Sequence, residues 1–288
     1  LLVSLFWPGA RGEGRPWRLI ILAFGLEIIF LLYLRWGQTE EIRTSVGDIT
    51  GVIFAFLLIW HLATGRTGLL DPMLFPAPDT ILALLIREIP DLFRGLGSSL
   101  ALLASGYAIA LVTAVPLGLL IGWRGRLFRV VNPFTKVLGP IPPIVYIPYA
   151  IALLPSFRTA SIFVIFVGAF WPIFINTISG VFNIPKGLID TARVLNLKER
   201  ALLYRVILPG ALPSICAGAT LALIFAFVLL TAAELIGATS GIGWYVKNFS
   251  DFSDFQRVIV GIFFISLVVT AITWGTERLE RFLLRWRI

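Results

Sequence analysis

The chain holds one cysteine, one histidine and one methionine among 288 residues, and only 14% of its residues are charged. A lone Cys216 excludes any disulfide within the chain. It also speaks against a cysteine-based metal centre, because structural zinc takes about four nitrogen or sulfur ligands. The lone His61 lies in an apolar run and reads as a packing or interfacial residue rather than a ligand. Enzyme sites gather acid–base, nucleophilic or metal-binding groups, and little remains here to build one. No G-x-x-x-x-G-K-[ST] phosphate loop, H-E-x-x-H or G-x-S-x-G occurs in the sequence. The chain is therefore expected not to be an enzyme, with no catalytic or metal-binding residues and no cofactor of its own.

What is present is apolar. Hydrophobic residues make up 58% of the chain, while a soluble domain carries about 25% charged residues. That much apolar surface has no place in water, where exposure costs about 25 cal/mol per Å². A bilayer solves the problem, and helices are the default inside it because each satisfies its own backbone. Seven runs approach the roughly 20 residues a span needs: Trp17–Trp36, Ile49–Thr64, Leu100–Trp123, Val137–Leu154, Thr159–Val181, Leu212–Ile236 and Val258–Thr276. The expected fold is an all-α, polytopic transmembrane bundle of 6–7 spans. Residues 1–45 are expected to form an N-terminal extension with one extra hydrophobic helix, and 46–288 the main transmembrane domain. The chain opens at Leu1 without an initiator methionine, so its natural start is expected upstream, and no signal peptide is legible.

Pro78–Phe93 differs from these runs. Ile81, Leu82, Leu85, Ile86, Ile89 and Phe93 recur at helical spacing between charged positions, which predicts an amphipathic surface helix. Gly95 and Gly97 are expected to end it. Positive charge sets orientation. The loops after Trp123, Val181 and Thr276 hold thirteen basic residues and the opposite side six, which places those loops and the C-terminus in the cytoplasm. A spanning first run would leave Arg11, Arg15 and Arg18 outside, against the rule. Glu27, within that run, is expected to face protein or to be protonated. The net charge of +8 is that of such loops, and nucleic-acid binding is not expected.

The most informative segment is residues 184–213, longer than the usual connection of about 2–8 residues in a bundle, charged and helix-prone. It reads as two short helices broken at Asn196, a residue type that tolerates left-handed backbone. Asp190 is placed early in the first helix, where its charge suits the dipole, and Pro209 and Pro213 close the element. The segment resembles the EAA loop of ABC-importer permeases, E-A-A, three residues, G, nine residues, I-x-L-P. Asp190, Thr191 and Ala192 stand at E-A-A, Asn196 at the glycine, and Val206, Leu208 and Pro209 at I-x-L-P. Asp, Thr and Asn depart from the pattern but keep an acidic helix residue, a small one and a left-handed break. Phe75–Pro78, Gly139–Pro143, Phe170–Thr177 and Ala232–Gly243 extend the resemblance over about Leu69 to Arg287, toward the nitrate/sulfonate/taurine/bicarbonate branch.

The resemblance implies a type I importer permease, multi-pass in the bacterial inner membrane, whose cytoplasmic coupling helix meets an ATPase subunit. Asp190, Thr191, Ala192, Arg193, Leu195, Asn196, Arg200, Leu208 and Pro209 are the expected coupling residues. Ala192, Leu195, Leu202 and Leu203 are expected to form its docking face. Implied partners are two ABC ATPase subunits, which hold ATP and Mg, a second permease copy, membrane lipid and a periplasmic or lipid-anchored solute-binding protein. A small anion is the implied cargo, moved by alternating access. Pro140, Pro142, Pro143 and Pro148 predict a kinked helix, either lining a path with Tyr146 and Tyr149 as wall or gate residues or serving as a simple packing kink. Trp171, Asn176, Thr177, Thr231 and Glu234 are the other candidate path residues, with Asn176 and Thr177 alternatively bridging helices and Glu234 alternatively capping the Gly-rich turn that follows or pairing with Arg158. An ion-coupled secondary transporter using Glu27 or Glu234 is the competing expectation, though no internal repeat supports it.

Overall fold

The computed structural model describes residues 40–66, 70–71 and 73–287, with isolated positions between 21 and 30. Among the described residues ten α-helices follow in order: α1 Glu40–His61, α2 Pro78–Trp123, α3 Gly125–Leu138, α4 Ile147–Leu153, α5 Phe157–Phe182, α6 Lys186–Val194, α7 Glu199–Leu202, α8 Leu208–Gly237, α9 Ile242–Asp251 and α10 Phe255–Leu283. No strand occurs among the described residues, so the fold is all-α as expected. Among the described residues, five helical segments are long and apolar enough to cross a membrane: Thr44–Thr64, Pro78–Trp123, Phe157–Phe182, Glu199–Gly237 and Phe255–Leu283. A sixth span results if Gly125–Leu138 and Pro143–Leu153, bent by 79°, cross as one. The expected run Trp17–Trp36 and Arg11, Arg15 and Arg18 lie largely or wholly outside the described residues. Glu27 is helical and exposed in the chain by itself, not facing other parts of it.

The chain divides into two compact units, Leu1–Phe93 with Tyr245–Phe264, and Arg94–Trp244 with Ile265–Ile288. In the first, Trp60 Nε1 donates to the Pro76 carbonyl at 3.1 Å, fastening the loop after α1. Its polar centre is Glu88, 8% exposed. Arg257 Nε donates to Glu88 Oε1 at 3.1 Å, and the same guanidinium pairs with Asp254 and lies over the Phe249 ring. A buried carboxylate needs such a counter-charge. Tyr245, whose hydroxyl is 3.4 Å from Glu88 Oε2, is also buried there. Burial first, then the Glu88 charge, push its phenol above the usual range.

The second unit is built on α5. On one side, small residues of α2 let the helices close up, as is usual between spans. A Cβ at Gly118 would lie 2.7 Å from that of Thr177, and one at Gly122 2.9 Å from that of Val181. On the other side α8 approaches as closely: a Cβ at Gly218 would lie 2.6 Å from that of Asn176, and one at Gly180 2.8 Å from that of Ser214. Ala110, Ala114, Ile165, Ala169, Ile173 and Ala222 fill the core between them.

Three local expectations are corrected. Gly95 and Gly97 do not end a helix; α2 runs unbroken through them for 46 residues. A helical glycine costs only about 1 kcal/mol, which neighbouring packing outweighs, and Gly95 is needed where the backbone of Gly241 comes close. Pro213 does not close the loop but lies inside α8. Residues 125–138, expected as a loop entering the next span, form the amphipathic helix α3.

Candidate functional site

Residues 184–213 fold as two short helices with the break where the sequence places it. Asn196 has φ 53°. The Asn196 N–H donates to Arg193 O at 2.9 Å and the Leu197 N–H to Ala192 O at 3.1 Å. This paired closure is a Schellman end, which requires one left-handed residue. Ala192 and Leu197 then meet in the apolar contact that accompanies such ends. Asp190 is not in the first turn of α6, which begins at Lys186. Its partner is Arg193, 3.8 Å away on an exposed surface, a pairing worth little. Thr191 Oγ1 donates back to Gly187 O.

The apolar residues of this segment divide between two surfaces. Ala192 and Leu202, expected to dock a partner, are each 4% exposed and join Ile184, Ile207, Ala211 and Leu119 in the chain's own cluster. Leu203 packs at the edge of that cluster. The face left open is Leu188, Val194, Leu195 and Tyr204, with Val194 81% and Leu195 70% exposed. Arg200 is exposed beside it. Helical periodicity did not reveal this division, because it is set by the packing of Ala192 and Leu202 onto distant residues such as Leu119 and Ala211. Leu208 also packs on the cluster. Pro209 has no N–H for the Arg205 carbonyl, and the turn before it, Leu203–Ile207, widens to a π-helix. The segment is tied to the end of α2: Arg193 lies 5.9 Å from the Trp123 ring and Arg124 is 3.8 Å from Glu199. The loop after Trp123 and residues 184–213 therefore lie at the same end of this unit.

The candidate path residues are not gathered at one place. Tyr149 is 70% exposed and Tyr146 half-buried on the short helical stretch after the bend. Trp171 stacks edge-on to Phe170 and Phe174. Asn176 faces Gly218 of α8 and donates to Pro172 O at 2.8 Å. Thr177 is fully buried against Gly118 and donates to Ile173 O at 2.7 Å. Both thus lie at helix–helix contacts.

Thr231 and Glu234 border a void of about 10 Å³ lined otherwise by residues such as Leu100, Phe227 and Val268. That is room for about one water. Glu234 is 2% exposed and both its oxygens are engaged. Ser99 Oγ donates to Oε1 at 2.6 Å and the Gly243 N–H to Oε2 at 2.7 Å. Ser99 Oγ also accepts the Ile242 N–H at 2.9 Å. One carboxylate and one hydroxyl thus satisfy two otherwise orphaned donors at the start of α9. Gly241, at φ 126°, makes the turn that brings them there, and a side chain at that position would collide with the carboxylate. This geometry fits the capping alternative for Glu234. Ser99 was not legible as its partner, being 135 residues away.

Comparison with known proteins places these features in a wider set. Residues 114–285 match the family described as binding-protein-dependent transport system inner membrane component. A bicarbonate transport system permease from Synechocystis sp. is 30% identical over 83% of this chain and 90% of its own length. An aliphatic sulfonates transport permease of Bacillus subtilis is 32% identical over 85% and 90%. A nitrate import permease of Leptolyngbya laminosa is 35% identical over 62% of this chain and 63% of its own length. Among solved structures, an inward-facing MetNI methionine ABC transporter chain superposes with a TM-score of 0.61 at 22% identity, covering 68% of this chain and 98% of that one.

Proposed function

The chain belongs to the inner membrane components of binding-protein-dependent transport systems, and we propose from that premise that it is the permease of an importer for a small anion. Relatives carrying nitrate, bicarbonate and sulfonate in their names support the anion. Two copies would form the path, with two ATPase subunits beneath and a solute-binding protein outside. ATP binding would draw the ATPase subunits together, move residues 184–213 and alternate the access of the path. The C-terminus is then cytoplasmic, as the basic loops require.

One observation carries this mechanism: the apolar surface of 184–213 is split. Ala192, Leu202 and Ile207 lock the segment to α2 and α8, while Leu188, Val194, Leu195 and Tyr204 remain open to a partner. An element gripped on one side by the bundle and on the other by a motor transmits a rigid displacement. Asp190, Thr191 and Arg193 rim the open face on α6, with Arg200 beyond the break, and Asn196 sets the angle between the two helices.

The test is co-purification of this chain with the ABC ATPase subunit of its own transport system, the two being co-expressed. Val194→Asp and Leu195→Asp place charge on the open face and are expected to abolish the complex while the permease stays folded in detergent. Ala192→Leu is expected to act differently, overpacking the chain's own cluster for about 1–3 kcal/mol and lowering the melting temperature. ATPase retention by both aspartate variants would end this account.

A further inference from the structure

Helix α3 carries a polar stripe that the coupling mechanism does not use. Arg126, Arg129, Asn132 and Lys136 follow at intervals of three, three and four residues, which places them along one side of a helix. Phe128, Val131 and Thr135 form the face packed on the chain. Val130, Phe134 and Val137 form an exposed apolar face. The stripe runs along the border between the two.

Three features make it more than a solvated helix edge. First, it is uncompensated. Helix α3 contains no acidic residue, and Arg126, Arg129 and Lys136 are exposed, with no ion-pair or hydrogen-bond partner among the described residues. Arg124, just before them, does pair, with Glu199. Second, it climbs a span. Phe128 meets Phe182 at the end of α5 with ring centroids 4.6 Å apart, and a Cβ at Gly139 would lie 3.3 Å from Ile175. From Phe182 to Ile175 is about 10 Å along the axis at 1.5 Å per residue. Lys136, three residues before Gly139, therefore stands beside the stretch of α5 between Phe182 and Ile175, deeper than Arg126 and Arg129, where a charge is costly if it faces hydrocarbon. Third, it leads to the bend of 79° between α3 and the helical stretch beginning at Pro143, the kind of broken helix that lines a cavity.

We propose that Arg129, Asn132 and Lys136, entered past Arg126, are an oxyanion-binding stripe on the inner half of the transport route. The proposal rests on the anion-permease reading above. Guanidinium and ammonium groups bind oxyanion oxygens through charge-assisted hydrogen bonds. Separate cations along about 10 Å of helix hold an anion at several points and trap it at none, which conduction requires. The same chemistry would also suit the phosphate of a lipid headgroup, and the experiment separates the two sources.

The single native cysteine makes the experiment direct. Lys136→Cys is introduced with Cys216→Ser, and the permease is reconstituted with its ATPase and binding protein in vesicles of phosphatidylcholine, with and without phosphatidylglycerol. The residue is labelled with an anionic or a cationic methanethiosulfonate reagent. The remaining arginines are expected to speed the anionic reagent about tenfold over the cationic one. Nitrate, bicarbonate or methanesulfonate should slow labelling several-fold relative to chloride at equal ionic strength, in both lipids. No labelling, equal rates for both reagents, or protection that follows phosphatidylglycerol and ignores the added oxyanion overturns the proposal. Arg129→Cys repeats the test should Lys136→Cys not assemble. Stimulation of ATP hydrolysis by the binding protein, measured on the Cys216→Ser parent, tests the underlying reading separately. Its absence sinks the importer, whereas its presence beside an unlabelled position 136 sinks only the stripe.

Discussion

Removing the Ser99 hydroxyl is expected to unfasten the turn between α8 and α9. Ser99→Ala deletes the donor to Glu234 Oε1 and the acceptor of the Ile242 N–H. Ser99 and Glu234 are each 2% exposed, so bulk water does not reach what is lost, and the adjoining void has room for about one water. A buried group left without its partner costs about 1–3 kcal/mol, and here two groups lose one. We expect about 3 kcal/mol in total. An ordinary side-chain hydrogen bond between spans averages about 0.6 kcal/mol, so the measurement discriminates a staple from a routine contact. At about 2–4 °C per kcal/mol for a chain of this size, purified Ser99→Ala should melt about 6–12 °C below the parent. Thr231→Val is the control. Thr231 Oγ1 donates only to Phe227 O of its own helix, at 3.0 Å, and its loss should shift melting by no more than about 2 °C. The reasoning fails if Ser99→Ala melts with the parent, or if Thr231→Val is as damaging.

Asn196→Gly should preserve coupling, because glycine accepts φ 53°, while Asn196→Val should cost about 1–2 kcal/mol and reduce binding-protein-stimulated ATP hydrolysis. Gly118→Ala should destabilise the chain through Thr177, but Gly97→Ala, which meets nothing within 4 Å, should gain up to about 1 kcal/mol; thermal melting of the two compares them. Tyr245 supplies a pH signature. Its phenol is raised above the ordinary value of 10.0 by burial and by Glu88, so the unfolded chain loses this proton first and the contribution to stability declines as pH rises from about 10. Melting temperatures across that window should fall less steeply for Tyr245→Phe than for the parent, and parallel curves would refute the burial argument.

Composition and run length were enough to read most of the membrane architecture, because a span needs only apolar length and an internally bonded backbone. Spacing was enough to read the break at Asn196, because the left-handed requirement acts on one residue and is visible in its type. Three things were not legible, each because long-range contact decided it. The continuity of α2 through Gly95 and Gly97 depends on neighbouring packing that no window of sequence contains. The different burial of Ala192 and Leu195, three residues apart, is set by a cluster reaching back to Leu119. The partner of Glu234 lies 135 residues earlier.

Helix α3 is the instructive case, since its residues were read as a loop and form a helix packed along α5. Arg126, Arg129 and Lys136 belong to the basic residues from which a cytoplasmic side is expected, and a charge tally is blind to depth. Only contacts along α5, from Phe182 to Ile175, lift Lys136 away from the loop and set it beside that helix. On the proposed reading the same three charges would serve two ends, holding this side of the bundle in the cytoplasm and offering an imported anion its exit. If so, substituting Lys136 alone should impair anion passage without inverting topology, because Arg124, Arg126 and Arg129 remain to set orientation.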